Sequence, residues 1–362
     1  MSSLRAQLIV VLAIFTLLLI HPFAQSQQAA PVPADPHELV TGSADVPASP
    51  AERAAALGLL ERARQNADMH IAGSAPFILK AEFTAGGGSF TGPGEVTETW
   101  ASGRNWRWTG SLGDYSQARA SANGRIFDEQ PVTVIPMRVQ MLRAAIFNPV
   151  QGVNAQSTLR VAPADANGTQ ALCVLSTERA SNIPSGNPRA WEEREYCVAK
   201  DTGLLQVYSE APGVYVTYSY GQNLQFHGRS LPDEISIFIG GSSVLTAHLS
   251  IGDIGSAGES LASAKPPTNE HPIMLGAASR YPIEAQARST SNEIQHAIVH
   301  VTTSSQGNLL EEELVSASDQ ALAQMALKIV KDSKFSPSES VQREAYINVR
   351  FSPGPEKNIA AN

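Results

Sequence analysis

The chain has 362 residues, which is long enough for two domains of ordinary size. Hydrophobic residues make up 43% of it and charged residues 17%, a composition that excludes a largely disordered protein. The formal net charge of −8 argues against a nucleic-acid partner, because such a partner requires a basic surface.

The N-terminal segment has the features of a secretory signal. Arg5 precedes an apolar run over residues 8–20, and small residues follow that run. We expect cleavage near Gln27, so that residues 1–26 form a signal peptide and the mature protein is periplasmic. The alternative is an uncleaved anchor in the inner membrane, facing the periplasm, although the run is shorter than the roughly 20 residues of a spanning helix. Residues 27–48 are rich in proline and alanine and are predicted to be a flexible lead-in.

Two helices and a long series of strands are predicted over residues 49–254. Residues 49–52 read Ser-Pro-Ala-Glu, which is a capping box with proline at the first helical position. Residues 77–84 alternate apolar and polar side chains, as a half-buried strand does, and further short strands follow. Residues 137–147 are apolar nearly all round, which predicts a buried helix.

Two tryptophans are candidates for a binding surface. Trp106 and Trp108 share one face of a predicted strand, with Arg107 between them. They could line a hollow for an apolar ligand. The alternative is that they pack as part of an aromatic core.

The chain has two cysteines, Cys173 and Cys197, and both lie in predicted strands. An exported protein matures in an oxidising compartment, so a disulfide between neighbouring strands is expected. The alternative is a pair of free, buried thiols.

The series of strands and helices has the pattern of a known family. Residues 196–205 read Tyr-Cys-Val-Ala-Lys-Asp-Thr-Gly-Leu-Leu, and Leu231 and Pro232 precede a late strand. With one amphipathic helix, a broad antiparallel sheet and a buried helix, residues 49–254 resemble the LolA/LolB family of periplasmic lipoprotein carriers. The resemblance implies a half-barrel closed by helices over an apolar hollow, with a lipid or a lipoprotein acyl chain as the possible ligand.

A second module is predicted after a linker at residues 255–271. Residues 294–303 and 309–316 have strand patterns, and a helix capped by Ser318 follows them. A last strand is predicted over residues 343–351, ahead of a short tail at 354–362.

This module resembles the C-terminal domain of the TonB family. The resemblance covers about residues 272–353 and rests on Tyr281-Pro282 and Gly307, together with the Lys-Phe-Ser-Pro sequence that begins at Lys334. It implies that an envelope protein, or a peptide of a TonB-dependent receptor, binds by strand addition to an edge strand. The residues expected at that edge are Arg343, Ala345, Ile347, Val349 and Phe351. The alternative is that the strand pairs within its own domain or in a homodimer.

No set of residues forms a catalytic constellation, so a non-enzymatic protein without a cofactor is expected. His296 and His300 share a strand face, but an exposed face is the default interpretation rather than a metal site. The acidic runs at residues 192–195 and 311–313 are expected to be solvated.

The predicted fold class is α+β: an antiparallel half-barrel with two helices, followed by a small ββαβ domain. The predicted function is a cell-envelope protein whose C-terminal domain docks a partner while the half-barrel binds an apolar ligand or partner. The alternatives are a periplasmic lipid or lipoprotein carrier, or a membrane-anchored TonB energy transducer if the N-terminal segment is not cleaved.

Overall fold

Two β-sheets account for most of the chain that this computed structural model describes. The described residues are 47–71, 74–129, 134–151, 153–166, 168–177, 189–255, 261, 279–287, 295–338 and 342–353. The predicted signal peptide and tail, and nearly all of the lead-in and linker, lie outside these residues.

The larger sheet has twelve strands, and every neighbouring pair in it is antiparallel. Its strands are β1 Phe77–Ala85, β2 Gly92–Ser102, β3 Asn105–Leu112, β4 Tyr115–Ala122, β5 Arg125–Asp128, β6 Thr158–Ala166, β7 Thr169–Thr177, β8 Arg194–Ala199, β9 Leu205–Ala211, β10 Val214–Ser219, β13 Glu234–Ile239 and β14 Ser242–Asp253. The order across the sheet is β5-β4-β3-β2-β1-β14-β13-β10-β9-β8-β7-β6. Strands β11 Gln225–Phe226 and β12 Arg229–Ser230 form a separate hairpin.

Two helices pack against one face of this sheet, which we call the inner face. Helix α1 runs over Pro50–Ala67 and begins with both hydrogen bonds of the predicted capping box, between Ser49 and Glu52. Helix α2 runs over Met137–Phe147 and is buried almost throughout, as its apolar sequence predicts. Both helices share one apolar core with the inner-face side chains of the strands.

The outer face of the sheet carries the disulfide. Cys173 and Cys197 lie directly opposite each other on β7 and β8 and are bonded, which confirms the predicted pairing. They belong to a small apolar cluster that also contains Tyr215 and is separate from the inner-face core.

The smaller sheet is mixed and carries one helix. Its elements are β15 Ser279–Ala287, β16 Gln295–Ser304, β17 Leu309–Ala317, helix α3 Gln320–Asp332 and β18 Gln342–Pro353. The order is β15-β18-β16-β17, with β15 and β18 parallel. The predicted ββαβ succession matches β16, β17, α3 and β18, whereas β15 is an additional strand that was not predicted. The cap of α3 is Asp319, whose side chain accepts a hydrogen bond from the Leu322 N–H. Ser318, the predicted cap, instead bonds with His296 on β16.

The predicted docking edge is wrong, because β18 lies inside the small sheet. Its main chain pairs with β15 on one side and with β16 on the other. The segment that begins at Ser279 forms the strand that covers the expected edge. Four of the five residues expected at the edge are buried in the core against α3: Ala345, Ile347, Val349 and Phe351. Arg343, the fifth, donates a hydrogen bond to the carbonyl oxygen of Ser336.

The two sheets share an apolar core. One face of the small sheet packs on α3, while Ile298, Val315 and Tyr346 from the other face belong to the core of the larger sheet. The domain boundaries drawn from sequence therefore separate two sheets whose buried side chains are in direct contact.

We expect the disulfide to stabilise the larger sheet. The double variant Cys173→Ala/Cys197→Ala should lose about 2–4 kcal/mol of unfolding free energy, because the bond closes a loop with a sequence separation of 24 residues. Urea denaturation of the wild type with and without a reducing agent measures the same loss. A reductant that also destabilised the double variant would show that the effect does not come from this bond.

Candidate functional site

A cavity of about 510 Å³ lies between helix α2, the inner face of the large sheet and strand β18 of the small sheet. Its lining comprises Asp68, His70, Trp108, Ile135, Val139, Gln140, Met141, Arg143, Ala144, Ala145, Phe147, Asn148, Gln151, Tyr208, Glu210, Val214, Val216, Glu344 and Tyr346. Helix α2 supplies more of these residues than any other element. The volume falls within the range of roughly 300–1,000 Å³ that is typical of small-molecule sites.

The N-terminus of α2 is held by the small sheet. Pro136 precedes the helix and provides no side-chain cap. Instead, a carboxylate oxygen of Glu311 accepts a 3.0 Å hydrogen bond from the Met137 N–H. A carboxylate at this position satisfies an otherwise unpaired donor and suits the positive end of the helix dipole. Burial raises the pKa of Glu311, while the bond from Met137 opposes that shift.

An ion pair fixes the same turn of α2. Arg138 makes two contacts with the carboxylate of Glu313, at 2.7 and 2.6 Å, and also donates to the carbonyl oxygen of Gly86. The Arg138 side chain is 3% exposed and that of Glu313 is 16% exposed. The expectation that residues 311–313 are solvated is therefore wrong at both Glu311 and Glu313.

Three further contacts join the sheets near the cavity. The side chain of Gln342 exchanges two hydrogen bonds with the main chain of Ile135. Arg280 donates to the carbonyl oxygen of Trp191 at 2.6 Å and to a carboxylate oxygen of Glu210 at 2.8 Å. The turn at Gly213 has φ of +85°, and a Cβ there would lie 2.8 Å from the Val315 carbonyl oxygen, so this close approach requires glycine.

The acidic residues of the lining all have partners. Glu210 contacts Arg194 at 3.1 Å as well as Arg280, and Glu344 contacts His300 at 2.6 Å. Asp68 lies 3.6 Å from Arg64 and accepts a hydrogen bond from the His70 N–H.

Arg143 differs from these residues. Its guanidinium lies over the indole ring of Trp108, 4.6 Å from the ring centroid. Burial lowers the pKa of Arg143. Among the described residues, no carboxylate lies within salt-bridge distance of Arg143, and its buried Nε–H has no hydrogen-bond partner.

The two predicted binding tryptophans are placed differently. Trp108 is 1% exposed and lines the cavity, and its indole packs over Gly110, where a Cβ would lie 2.6 Å from the ring. Trp106 lies on the same face, opposite Trp100, but is outside the lining and packs against the core.

The histidine and glutamate expectations also need correction. His300, expected on an exposed face, is fully buried and stacked on Tyr346 at 4.4 Å. Glu193 and Glu195, expected to be solvated, are both 1% exposed, and Glu193 pairs with Arg160. Over the described ranges, one group has metal-ligand proximity, formed by Cys173, Glu195 and Cys197, and its two thiols are joined in the disulfide.

Comparison with known proteins returns structures only. No family model matches the chain, and no curated protein matches it. A LolA superfamily protein from Nitrosomonas europaea covers 55% of this chain and 91% of that chain, at 11% identity and a TM-score of 0.36. A domain assigned to outer membrane lipoprotein sorting, from Vibrio parahaemolyticus, covers 55% and 92%, at 9% identity and a TM-score of 0.31. A DUF1329 family protein from Desulfovibrio piger covers 55% and 90%, at 9% identity and a TM-score of 0.30.

All three TM-scores are below 0.5. The predicted resemblance to the LolA family is matched by structural similarity over 55% of the chain. The predicted resemblance to the TonB family is supported by none of the comparisons. Within the described residues, no helix is both long enough and apolar enough to cross a membrane.

We expect the Arg138–Glu313 pair to couple the two sheets. Arg138→Ala and Glu313→Ala should each lose about 3–5 kcal/mol of unfolding free energy, because each leaves a largely buried charge without its partner. The double variant should lose less than the sum of the two. Urea denaturation followed by circular dichroism measures all three losses.

Lys328→Ala is the matched control, since Lys328 forms an exposed ion pair with Asp332 on α3 of the same sheet. It should leave the urea midpoint unchanged. Strict additivity of the Arg138 and Glu313 losses would contradict the proposed coupling.

Proposed function

We propose that this protein is a non-enzymatic carrier that holds the apolar chain of a lipid or an acylated molecule in the cavity beneath α2. The observation that supports this most directly is the cavity itself. Its lining includes Val139, Met141 and Phe147 of α2 together with Val214 and Val216 of the large sheet. Apolar side chains from two elements favour a ligand that loses water-exposed apolar area on binding.

The chemistry of the lining favours binding over catalysis. The described lining residues include no serine, threonine, cysteine or lysine, the side chains that most often serve as covalent nucleophiles. His70 pairs with Glu98 at 2.7 Å and packs between aromatic rings, with Phe147 at 5.0 Å. These contacts fix the His70 imidazole in the wall of the cavity.

The C-terminal sheet supports the carrier function as a cover of the cavity. Glu344 and Tyr346 of β18 are part of the lining, and Glu311 and Glu313 of β17 hold the first turn of α2. The ligand space is therefore completed by both sheets.

Strand addition at the C-terminal sheet is less well supported than a covering role. β18 has neighbours on both sides, which leaves β15 as the outer edge beside it. β15 contains Pro282, and a proline in an edge strand removes a donor from the side that an added strand would use.

We further propose that the carrier works in the periplasm. The disulfide on the outer face is of the kind that persists in an oxidising compartment. The alternatives of a membrane anchor and of energy transduction depend on the first 46 residues, which lie outside the described part of the chain.

A binding experiment with a blocked variant tests the proposal. Ala144 is exposed at the cavity lining, so Ala144→Trp places an indole at the opening without overpacking the core. N-phenyl-1-naphthylamine, a neutral probe that fluoresces in apolar sites, should bind the wild type saturably. The variant should bind it at least about tenfold more weakly.

Ala54→Trp is the control, because Ala54 is an exposed alanine of α1 that lies outside the lining. It should bind the probe as the wild type does. Organic extracts of the purified protein, analysed by mass spectrometry, should contain a long-chain lipid that is depleted in Ala144→Trp. Equal probe binding by all three proteins, or by none, would overturn the carrier proposal.

A further inference from the structure

Among the described residues, two buried hydrogen-bond donors in the cavity wall have no partner. They are the Nε1–H of Trp108 and the Nε–H of Arg143, and both residues belong to the lining. Buried donors in native proteins nearly always have a partner, and each exception requires an explanation such as a ligand. Two such donors in adjacent side chains point to one acceptor group between them.

The position of Arg143 makes this pair unusual. Val139, Arg143 and Phe147 are four residues apart on α2, so they lie along one face of the helix. A guanidinium remains charged in proteins, and a charge among apolar neighbours is costly without a counter-charge. The stacking on Trp108 stabilises the cation but supplies no negative charge.

Two carboxylates lie near Arg143. Glu98 bonds to His70 through one oxygen, at 2.7 Å, while its second oxygen has no hydrogen-bond partner among the described residues, and its side chain is not part of the lining. Asp128 is bound by Arg119 at 2.9 and 3.1 Å and by Gln117 at 2.5 Å. Both acids reduce the positive electrostatic potential at Arg143. Neither forms a hydrogen bond or an ion pair with it.

We infer that the ligand is an amphiphile with one anionic head, a carboxylate or a phosphate, which accepts hydrogen bonds from Arg143 and from the Trp108 indole. This inference rests on the proposed carrier function and defines the class of ligand. Each acidic side chain of the lining already has a basic or main-chain partner, and Arg143 is the lining arginine available to such a head. The apolar chain of the ligand occupies the remaining volume along α2.

A pair of probes that differ in one charge tests this assignment. cis-Parinaric acid is a fluorescent fatty acid, and its methyl ester has the same chain without the negative charge. Wild-type protein should bind the acid at least about tenfold more tightly than the ester. Arg143→Met should bind the two equally, with the affinity for the ester unchanged.

Two controls separate binding from folding. Arg62→Met changes an exposed arginine of α1 and should keep the preference for the acid. Arg143→Met should unfold at the same urea concentration as the wild type or a higher one, because methionine removes an unpaired buried charge.

Displacement of the ester probe by oleate and by lysophosphatidate shows which anionic head the site prefers. Whichever competitor is stronger should lose at least about tenfold in Arg143→Met. Equal binding of acid and ester by the wild type, or a preference that persists in Arg143→Met, would overturn the anionic head while leaving the carrier function intact. Failure of the wild type to bind either probe would overturn both.

Discussion

The cavity depends on helix α2, which packs on the large sheet and is held in place by two carboxylates of the small sheet. Helix α2 begins after a proline and has no cap of its own, so Glu311 supplies the acceptor for its first free N–H. Glu313 neutralises Arg138 one residue later. Both contacts are largely buried, and removing either partner leaves a donor or a charge without compensation. The helix that forms most of the cavity wall and the C-terminal sheet are therefore energetically dependent on each other.

The distribution of charge around the cavity indicates which class of ligand it can bind. Glu210 forms ion pairs with two arginines, Glu344 contacts His300, and apolar side chains occupy most of the α2 face. Within the described part of the chain, Arg143 of the lining has no carboxylate within bonding distance, and the Trp108 indole beside it is a second donor without a partner. A lining with many apolar side chains and one cation that has no direct carboxylate partner favours a ligand that is mostly hydrocarbon and carries one negative group.

Local sequence patterns predict helices and strands well. They predict poorly which strands pair and which side chains contact each other. The capping box at Ser49, the apolar helix at 137–147 and the disulfide are confirmed, since each depends on residues close together in sequence or on compartment chemistry. The edge assignment failed because strand order is set by distant segments, such as Tyr281 pairing with Ile347. The acidic run at 311–313 appeared solvated for the same reason, because its partners lie more than 170 residues away. The helix at 137–147 carries Arg138, Gln140 and Arg143 among apolar residues, and Arg143 was the local signal for the site.

Hydrogen exchange on ligand loading tests most directly the claim that both sheets enclose one ligand. Amide exchange is compared between delipidated protein and protein saturated with a long-chain fatty acid. Enclosure of one ligand by both sheets predicts slower exchange in α2, in β3 around Trp108 and in β18 around Tyr346, with no change in β7, which carries Cys173 of the outer-face disulfide. Protection confined to one sheet, or no change at saturation, would contradict it.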